Sequence, residues 1–468
     1  MSAEWSGSGP ELLVTLDRDQ PLRAQLEAQL RTAIRSGRLA ADERLPSSRS
    51  LARDLGLSRG LVQECYEQLR AEGYLTSRGG SATRVAALSQ QRTAVPPPSR
   101  EPAEPRSARI ASFESGVPDL GLAPREDWAW AVREACRALP NSAFHYGDPR
   151  GVPETREILA AYLGRVRAVD TDKDGVVVCS GFGQGLAITL RTLARHGLTR
   201  VACEDPGSIG TIGAAAASSG GDLVPVRVDE QGIDVEALEA SRARVAVLTP
   251  AHQWPTGVVL SPERRHQLLA WARRCDGIIV EDDYDAEFRY DRDPVGSIQG
   301  LDPDRVVSLG TVSKSLAPAL RLGWVVVPAA LAHDLAAEKQ VADRGSSGVD
   351  QAALATLVAT GRYDRHLRRM RAEYARRRRV LVETLEAHAP HIRVSGLAAG
   401  FHAVAHLPDG ADEHGVVQGA GERGVVLRGM STYRSTREPV PPQLVLGFGN
   451  TGVREIEAGI RAVADLLA

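Results

Sequence analysis

The stretch 308–323 sets a single lysine, Lys314, among hydroxyl-bearing and small residues, with Arg321 seven positions further on. The apolar run 305–309 predicts a short buried strand, so Lys314 should lie in a loop at the end of that strand. Such loops at the edge of a parallel sheet are where α/β proteins bind ligands. An amine in a partly desolvated pocket has a lowered pKa and can attack an aldehyde to form a Schiff base. Pyridoxal phosphate (PLP) is the common cofactor held in this way.

Other residues can supply the phosphate contacts that this cofactor requires. Thr311, Ser313 and Arg321 are suitable hydrogen-bond donors. The glycine-rich run 180–185 follows an apolar strand and precedes a helix expected from Leu186 onward. Free amides at a helix N-terminus form a phosphate cradle, and glycines let the anion come close. Taken singly, such a turn is a weak indication, and a lone lysine in a loop is usually a solvated surface residue.

An acidic run at 281–285 follows another predicted strand. A carboxylate at that place can hold a pyridine nitrogen protonated, which makes the ring an electron sink. Tyr284 can donate to the phenolic oxygen of the same ring, and the turn 251–257 adds Trp254 as an aromatic that can stack. The alternatives for an acidic cluster at a strand end are a metal site and a solvated loop.

The elements that position these residues belong to a long chain. Its 468 residues suggest about three domains at the usual ~150 residues each. No apolar run approaches the ~20 residues of a membrane span, and no signal peptide is apparent, so we expect no membrane association. The five cysteines are scattered and lack metal-ligand spacing. This indicates a reducing cytoplasm and argues against disulfides or a bound metal.

The N-terminal part has a helical pattern of its own. A first helix is expected over 21–37, a second short helix is capped by Ser47 or Ser48, and a third is capped by Ser58. Two helices joined by a Gly-containing turn form a helix-turn-helix, whose second member can enter a major groove. The segment 76–85 predicts a β-hairpin beyond them.

Three domains follow from this pattern. We predict a winged helix-turn-helix over 11–86, a Pro-rich spacer over 87–109 and a ligand-binding domain over 110–468. In the last of these, short apolar runs alternate with helical patterns at intervals that suit a parallel sheet. The run 362–389 predicts one long helix that leads into a smaller α+β part.

Residues 21–85 resemble the winged helix-turn-helix of the GntR regulators. The landmarks are Arg-Leu-Pro-Ser-Ser-Arg at 44–49, Leu-Ala at 51–52, Leu-Gly-Leu-Ser-Arg at 55–59 and Ala-Glu-Gly-Tyr-Leu at 71–75. The resemblance implies binding to a double-stranded DNA operator. By position, the implied DNA contacts are Arg49, Ser58, Arg59, Gly79 and Gly80. One departure is Gly60-Leu61, where that family favours a small β-branched pair.

Residues 110–468 resemble the fold-type-I PLP-dependent aminotransferases, and the whole chain resembles the MocR subfamily of GntR regulators. The implied fold is multidomain, with an α+β winged helix-turn-helix followed by an α/β aminotransferase-like domain that has a large, mainly parallel sheet and a small α+β part. Lys314 becomes the Schiff-base lysine, Asp282 the partner of the pyridine nitrogen and Tyr284 the partner of the phenolic oxygen. The implied phosphate contacts are Ser180, Gly181, Phe182, Thr311, Ser313, Arg321 and, on the neighbouring subunit of a homodimer, Tyr146.

Two residues depart from the aminotransferase pattern. Ser208 stands where the family usually has a ring-stacking tyrosine, and Val445 stands where it usually has the arginine that holds an amino acid's carboxylate. Without that bidentate contact an α-amino acid binds weakly and poorly oriented. The nearby replacements are Arg428, Arg434 and Arg437. We therefore expect the domain to sense PLP, or an amine that lacks the carboxylate.

Three functions stay open at this point. The first is a PLP-dependent transcription regulator with a sensing domain, and the second is a working aminotransferase with a residual DNA-binding head. The third, a DNA-binding module with a purely structural second domain, is disfavoured because the expected cofactor residues are present. The Arg-rich run 365–379 indicates a charged helix face paired with acids more than it indicates nucleic-acid binding, although it can add non-specific attraction to DNA.

Overall fold

The structure is a computed structural model, and it describes residues 2–3, 14–77, 82–87, 109–285, 287–290, 295–435 and 440–467. The chain divides into two compact units, Met1–Glu104 and Pro105–Ala468. The division falls inside the predicted spacer 87–109, nearly all of which lies outside the described residues. Among the helices of the described ranges, none is long and apolar enough to cross a membrane.

The N-terminal unit is a three-helix arrangement with a small hairpin. Its elements are β1 (Ser2–Ala3), β2 (Val14–Thr15), α1 (Leu22–Arg35), α2 (Ser48–Leu55), α3 (Arg59–Ala71), β3 (Leu75–Thr76) and β4 (Arg84–Val85). β3 and β4 pair in antiparallel register, with Leu75 opposite Val85. The predicted wing glycines, Gly79 and Gly80, lie outside the described residues.

Local capping explains where the helices of this unit begin and end. The Ser47 hydroxyl accepts from the amide of Ser50 at 3.1 Å, and the Ser58 hydroxyl accepts from the amide of Leu61 at 3.2 Å. Each such cap is worth about 1 kcal/mol. Between the two helices, Gly56 ends α2 in the left-handed conformation, with φ of 62°. The turn of the predicted helix-turn-helix is therefore formed as the sequence indicates.

The second unit contains two larger sheets. Its strands are β5 (Ala111–Ser112), β6 (Val176–Cys179), β7 (Arg200–Asp205), β8 (Asp222–Asp229), β9 (Gly232–Ile233), β10 (Val245–Leu248), β11 (Ile278–Asp283), β12 (Val306–Thr311), β13 (Gly323–Val326), β14 (Arg393–Ser395), β15 (His402–His406), β16 (Val425–Val426), β17 (Arg428–Gly429) and β18 (Gln443–Gly447). One sheet has the order β6-β13-β12-β11-β10-β7-β8-β9 and the other the order β14-β15-β18-β17. A parallel β5–β16 pair completes the strands.

Helices connect and cover these strands. They are α4 (Arg125–Ala138), α5 (Pro153–Arg167), α6 (Phe182–Arg195), α7 (Ile209–Ser218), α8 (Val235–Ala240), α9 (Pro262–Cys275), α10 (Ala329–Asp343), α11 (Gly348–Ala359), α12 (Arg362–His388), α13 (Glu413–Glu422) and α14 (Val453–Val463). The central strands β10 and β12 and the edge strand β6 are buried throughout because the helices shield the sheet from solvent. α12 is the long helix that the sequence predicts.

One strand runs against the expected direction. The sequence places the run at 324–327 among strands that suit a parallel sheet, but β13 is antiparallel to both β12 and β6. The connection from β12 to β13 spans only residues 312–322. A parallel crossover needs a dozen or more residues, usually including a helix, so this short connection returns the chain antiparallel. That same connection carries Lys314 and Arg321.

Candidate cofactor and DNA-binding sites

A cavity of about 370 Å³ opens at the carboxyl ends of the parallel strands. Its lining residues are Gly116, Phe182, Gly183, Ser208, Thr211, Trp254, Asp282, Tyr284, Thr311, Ser313, Lys314 and Arg321. They come from the ends of β6, β7, β10, β11 and β12, where open α/β sheets bind ligands. The structure thus brings most of the predicted cofactor residues into one cavity, called here the Lys314 pocket.

Lys314 lies in the turn after β12, and its amine donates to the carbonyl of Gly116. Burial lowers the pKa of Lys314 below its ordinary value of 10.5, and the carboxylates of Asp282 and Asp285 oppose that shift. Gly116 has φ of 78°, and a side chain there would lie 3.5 Å from Trp254 and 3.9 Å from the Lys314 amine. These are ordinary contact distances, so the glycine is favoured by the left-handed backbone conformation and not by lack of room.

Asp282 has a carboxylate oxygen that lacks a partner. The Oδ1 atom is buried and, within the described part of the chain, accepts no hydrogen bond. Burial raises the pKa of Asp282 well above its ordinary 3.8, and the charges of Asp283 and Asp285 add to the shift. Native structures rarely leave such a group unpaired. A ligand with a protonated ring nitrogen would satisfy it, and this is the group that PLP presents.

Tyr284 is a buried residue that also lines the Lys314 pocket. Its hydroxyl donates to the carbonyl of His252 at 3.2 Å, and its ring meets Trp254 edge-on at 6.2 Å between centroids. Behind it, Nδ1 of His252 lies 2.8 Å from Oδ2 of Asp285. Burial, followed by the charges of Asp285 and Asp282, raises the pKa of Tyr284 well above 10.0, so the phenol stays protonated and can donate.

Hydroxyl and guanidinium groups lie together on the side expected for a phosphate. Thr311 Oγ1 donates to Ser313 Oγ at 2.9 Å and accepts from the Ser313 amide at 3.1 Å. Arg321, which has φ of 51°, donates to the Ser180 carbonyl at 2.6 Å. A side chain at Gly181 would approach the Arg321 guanidinium to 3.4 Å. Gly181 has φ of 82°, a conformation that other residues rarely adopt, so the backbone approaches the Arg321 guanidinium where a glycine is favoured.

Two predicted phosphate contacts, Ser180 and Gly181, are not among the residues that line the Lys314 pocket. The Ser180 amide already donates to Gln184 Oε1 at 2.7 Å. The helix that the sequence predicts from Leu186 begins earlier, at Phe182, with Gly181 as the residue before it. Phe182 and Gly183 therefore sit in the first turn of α6, where backbone amides are free for an anion.

The position of Trp254 depends on a buried acid that the sequence does not single out. Glu204 Oε2 accepts from the Thr249 hydroxyl at 2.7 Å and from the Thr249 amide at 3.0 Å. The same hydroxyl accepts from the Trp254 amide at 2.9 Å. Burial raises the pKa of Glu204 to about 7, against the opposing effect of the Thr249 hydrogen bonds. A glutamate at the end of the apolar strand β7 was the available signal.

Tyr146 lies away from the Lys314 pocket of its own chain. Its side chain is 70% exposed, and the guanidinium of Arg344 lies 5.5 Å from its ring centroid. An exposed aromatic of this kind is available to a neighbouring molecule. Its predicted contact with a second subunit's phosphate site stays a prediction.

The region around Val445 is an apolar wall. Val445 is fully buried and packs with Val404, Met430 and the partly buried Tyr433. The Tyr433 ring meets Trp254 at 5.5 Å, so it lies between this cluster and the pocket. Of the possible replacements, Arg428 and Arg434 are not among the residues that line the Lys314 pocket, and Nε of Arg434 is buried without a hydrogen-bond partner within the described ranges. Arg437 lies outside the described residues.

In the N-terminal unit, the predicted DNA contacts within the described ranges lie at the starts of two helices. Arg49 is exposed in the first turn of α2, and Arg59 is exposed as the first residue of α3. Within the described ranges, neither guanidinium has an ion pair. Gly60 has open space where a side chain would project. Unpaired arginines at helix N-termini are suited to phosphate or guanine contacts.

Both units match known families. Residues 110–437 match aminotransferase class I and II, and residues 22–85 match the bacterial regulatory proteins of the gntR family. The chain is also similar to solved aminotransferases. An archaeal alanine:glyoxylate aminotransferase is 26% identical with a TM-score of 0.69, and Pyrococcus horikoshii kynurenine aminotransferase, solved in complex with PMP, is 27% identical with the same TM-score. Each covers 77% of this chain and 91% of its own.

Two relatives match along nearly the full length. The probable rhizopine catabolism regulatory protein MocR of Rhizobium meliloti is 34% identical, over 97% of this chain and 95% of its own. The HTH-type pyridoxine biosynthesis transcriptional regulator PdxR of Corynebacterium glutamicum is 31% identical, over 94% of this chain and 95% of its own. These matches confirm the predicted fold and the resemblance seen in the sequence. The chain therefore belongs to the MocR subfamily of GntR transcription regulators, in which a helix-turn-helix unit is joined to an aminotransferase-like unit.

Proposed function

We propose that this regulator binds PLP at Lys314 and that the occupancy of the Lys314 pocket controls its binding to double-stranded DNA. One observation carries the proposal. A single pocket contains an amine whose pKa is lowered by burial and a buried carboxylate oxygen, Oδ1 of Asp282, that has no hydrogen-bond partner among the described residues. An amine for an aldehyde and an acceptor for a ring N–H are the two groups that a pyridoxal ring requires.

Different residues of the pocket would hold different parts of the cofactor. PLP, when bound, supplies an aldehyde carbon and, with its ring nitrogen protonated, an electron sink. Lys314 would offer the nucleophilic amine, and Asp282 would accept the hydrogen bond of the ring nitrogen. Tyr284 would donate its one hydroxyl proton to the phenolic oxygen in place of the His252 carbonyl. The phosphate is held by donors that already converge on one side, namely Gly181, Phe182, Thr311, Ser313 and Arg321.

The effector class follows from what the pocket contains. Among the described lining residues, the cations are Lys314 and Arg321, and both are engaged by the cofactor in this proposal. The wall around Val445 and Tyr433 is apolar, so an α-carboxylate would be left without a counter-charge. We infer that the signal is PLP itself or an amine without that carboxylate. The name of the Corynebacterium relative, a pyridoxine biosynthesis regulator, supports the first of these.

DNA binding is assigned to the N-terminal unit. Residues 11–86 would bind DNA through Arg49, Ser58 and Arg59, residues 87–109 would act as a spacer, and residues 110–468 would sense the effector. A homodimer with two such heads suits repeated or palindromic half-sites. In that dimer Tyr146 would complete the phosphate site of the second subunit. The effector must bind two arrangements of the dimer with different affinities, because a ligand with equal affinity for both does not change the equilibrium between them.

A second function, amine transfer, is favoured by one observation. Lys314, Asp282 and Tyr284 are together in the pocket, and they allow partial reactions with an amine. The missing carboxylate cation argues against efficient turnover of amino acids. Turnover of common amino donors at about 1 per second or faster would favour this alternative.

Borohydride reduction followed by peptide mass analysis tests the cofactor site. The chain has three lysines, at 173, 314 and 339, so the adduct can be assigned without ambiguity. We expect a pyridoxyl group on Lys314 alone, and its loss together with the long-wavelength absorbance in Lys314→Ala. Lys173→Ala, at an exposed position, is the matched control and should keep both. An adduct on Lys173 or Lys339, or none, would contradict the proposal.

A further inference from the structure

The outer face of α12 carries a row of arginines. Tyr363, Leu367, Met370, Tyr374 and Leu381 lie on the inner face and are buried against the core. On the opposite face, the exposed arginines are Arg365, Arg368, Arg369, Arg376 and Arg379. The helix therefore presents one apolar side to the protein and one strongly basic side to solvent.

Two acids of this helix already pair with arginines, whereas the exposed Glu383, one turn beyond Arg379, has no ion pair within the described ranges. Asp364 pairs with Arg165 at 2.8 Å, and Glu373 pairs with Arg376 and Arg377, each at 2.8 Å. Of the exposed arginines on this face, the structure gives four no ion pair within the described ranges. These four are Arg365, Arg368, Arg369 and Arg379, called here the arginine stripe. The expectation that acids neutralise this helix face is therefore wrong for these four residues.

The stripe does not help the helix to form. Arg365 has like charges three and four residues on, at Arg368 and Arg369, and such pairs destabilise a helix. Arg365 lies at the end of the first turn of α12, which begins at Arg362, and a cation is unfavourable at the positive end of the helix dipole. These effects work against the helix, and an external anion is a partner that would offset the repulsion.

We propose that the arginine stripe binds the phosphate backbone of DNA outside the contacts of the helix-turn-helix, an inference that rests on the proposed DNA-binding function. From Arg365 to Arg379 the helix rises about 21 Å, roughly the axial length of six base pairs. The stripe can therefore reach several phosphates of one duplex. A protein partner fits less well, because protein interfaces combine arginines with apolar or aromatic anchors, and the stripe presents arginines without such anchors beside them.

Salt dependence of binding to a mixed-sequence duplex of roughly 50 base pairs, about five helical turns, tests the proposal. The stripe variant replaces Arg365, Arg368, Arg369 and Arg379 by Gln in the full chain. A matched variant replaces four arginines of the same unit that are half-exposed and paired with acids, namely Arg200, Arg244, Arg274 and Arg423. Both variants lower the formal net charge by four, from −2 to −6.

Each phosphate contact contributes about 0.9 to the slope of log affinity against log salt. We expect the magnitude of this slope to be about 3.6 smaller for the stripe variant than for wild type. For the matched variant it should be almost unchanged. Between roughly 50 and 200 mM salt, the wild-type affinity would then fall on the order of a hundredfold more than that of the stripe variant. Replacing the same four residues by Lys should restore the slope, which separates charge from any change in folding.

A head variant, Arg49→Ala with Arg59→Ala, separates this inference from the proposed function. If the head variant loses affinity while the stripe variant keeps the wild-type slope, the inference is overturned and the DNA-binding head stands. If the stripe variant loses slope and the head variant does not, the stripe stands and the head is misassigned. A matched variant that loses as much slope as the stripe variant would also overturn the inference, because general charge would then suffice.

Discussion

The ammonium group of Lys339 lies 2.9 Å from Oε1 of Gln184, the same oxygen that accepts the 2.7 Å hydrogen bond from the Ser180 amide. Lys339 is fully buried and also donates to Asp343 at 2.6 Å and to Ser346 at 2.8 Å. The last turn of α10 is thereby tied to the first turn of α6. The helix start that we assign to the cofactor phosphate is held in place by a cation outside the pocket.

Lys339→Met should therefore weaken both the fold and the cofactor site. Hydrogen bonds to charged groups are worth about 1.5–3 kcal/mol, so we expect the free energy of unfolding to fall by about that amount. The apparent dissociation constant for PLP, measured by absorbance titration, should rise as the Gln184 side chain loses its orientation. Lys173→Met, which removes an exposed lysine, should change neither quantity. An unchanged PLP affinity in Lys339→Met would show that the network supports only stability.

Because Oδ1 of Asp282 has no partner in the described part of the chain, we predict that Asp282→Asn stabilises the cofactor-free protein but does not stabilise the protein with PLP bound. Its raised pKa means that its contribution to stability is fully present below about pH 3.8 and is lost as the pH rises through the folded value. The amide in Asp282→Asn does not ionise, so this variant does not lose stability in that way as the pH rises. The cofactor-free variant should therefore unfold at a higher temperature than cofactor-free wild type at neutral pH.

Loaded with PLP, the same variant should lose its advantage, because an amide stabilises a protonated ring nitrogen less than a carboxylate does. Thermal unfolding after cofactor removal with hydroxylamine, and again after reloading, measures both effects. Asp285→Asn is not a suitable control, since it would break the bond to His252, whereas Asp174→Asn changes an exposed acid. A cofactor-free Asp282→Asn that is less stable than wild type at neutral pH would mean that the carboxylate has a partner in solution.

Glu204 predicts a pH dependence of a different kind. Its pKa is raised from an ordinary 4.5 to about 7 by burial, so its stabilising contribution is present below pH 4.5 and is lost as the pH rises through about 7. A pKa shift of this size changes the free energy of unfolding by at most about 3 kcal/mol. The stability of wild type relative to Glu204→Gln should fall over this window, as measured by urea unfolding at a series of pH values. A stability difference between the two proteins that stays constant from about pH 5 to about pH 8 would contradict the raised pKa of Glu204.

Much of the site could be predicted because its residues follow the ends of recognisable strands. Asp282, Lys314 and the turn at 180–185 each come directly after an apolar run, and the carboxyl ends of parallel strands meet at one edge of a sheet. The helix-turn-helix was equally accessible, since Ser47 and Ser58 are local capping signals. In both cases the relevant information lies within a few residues along the chain.

The supporting contacts could not be predicted because they join distant parts of the sequence. Lys339 and Gln184 are 155 residues apart, and Glu204 and Thr249 are 45 apart. A lone charged residue in a helix or strand is normally taken as exposed, and only the packing of α10 on α6 reveals a buried partner. The reversed direction of β13 was likewise missed, because an apolar run does not record the direction of its strand.

The apolar wall around Val445 predicts that a simple reversion will not create an amino-acid site. Val445→Arg places a charge among the apolar side chains of Val404, Met430 and Tyr433. An uncompensated buried charge destabilises strongly, so we expect the free energy of unfolding to fall by about 3 kcal/mol or more. Val445→Met, which adds bulk without charge, should cost less than about 3 kcal/mol. Thermal unfolding and the absorbance change on adding α-amino acids provide the readouts, and an Arg variant that keeps wild-type stability and gains an amino-acid response would show that the pocket reaches Val445 after all.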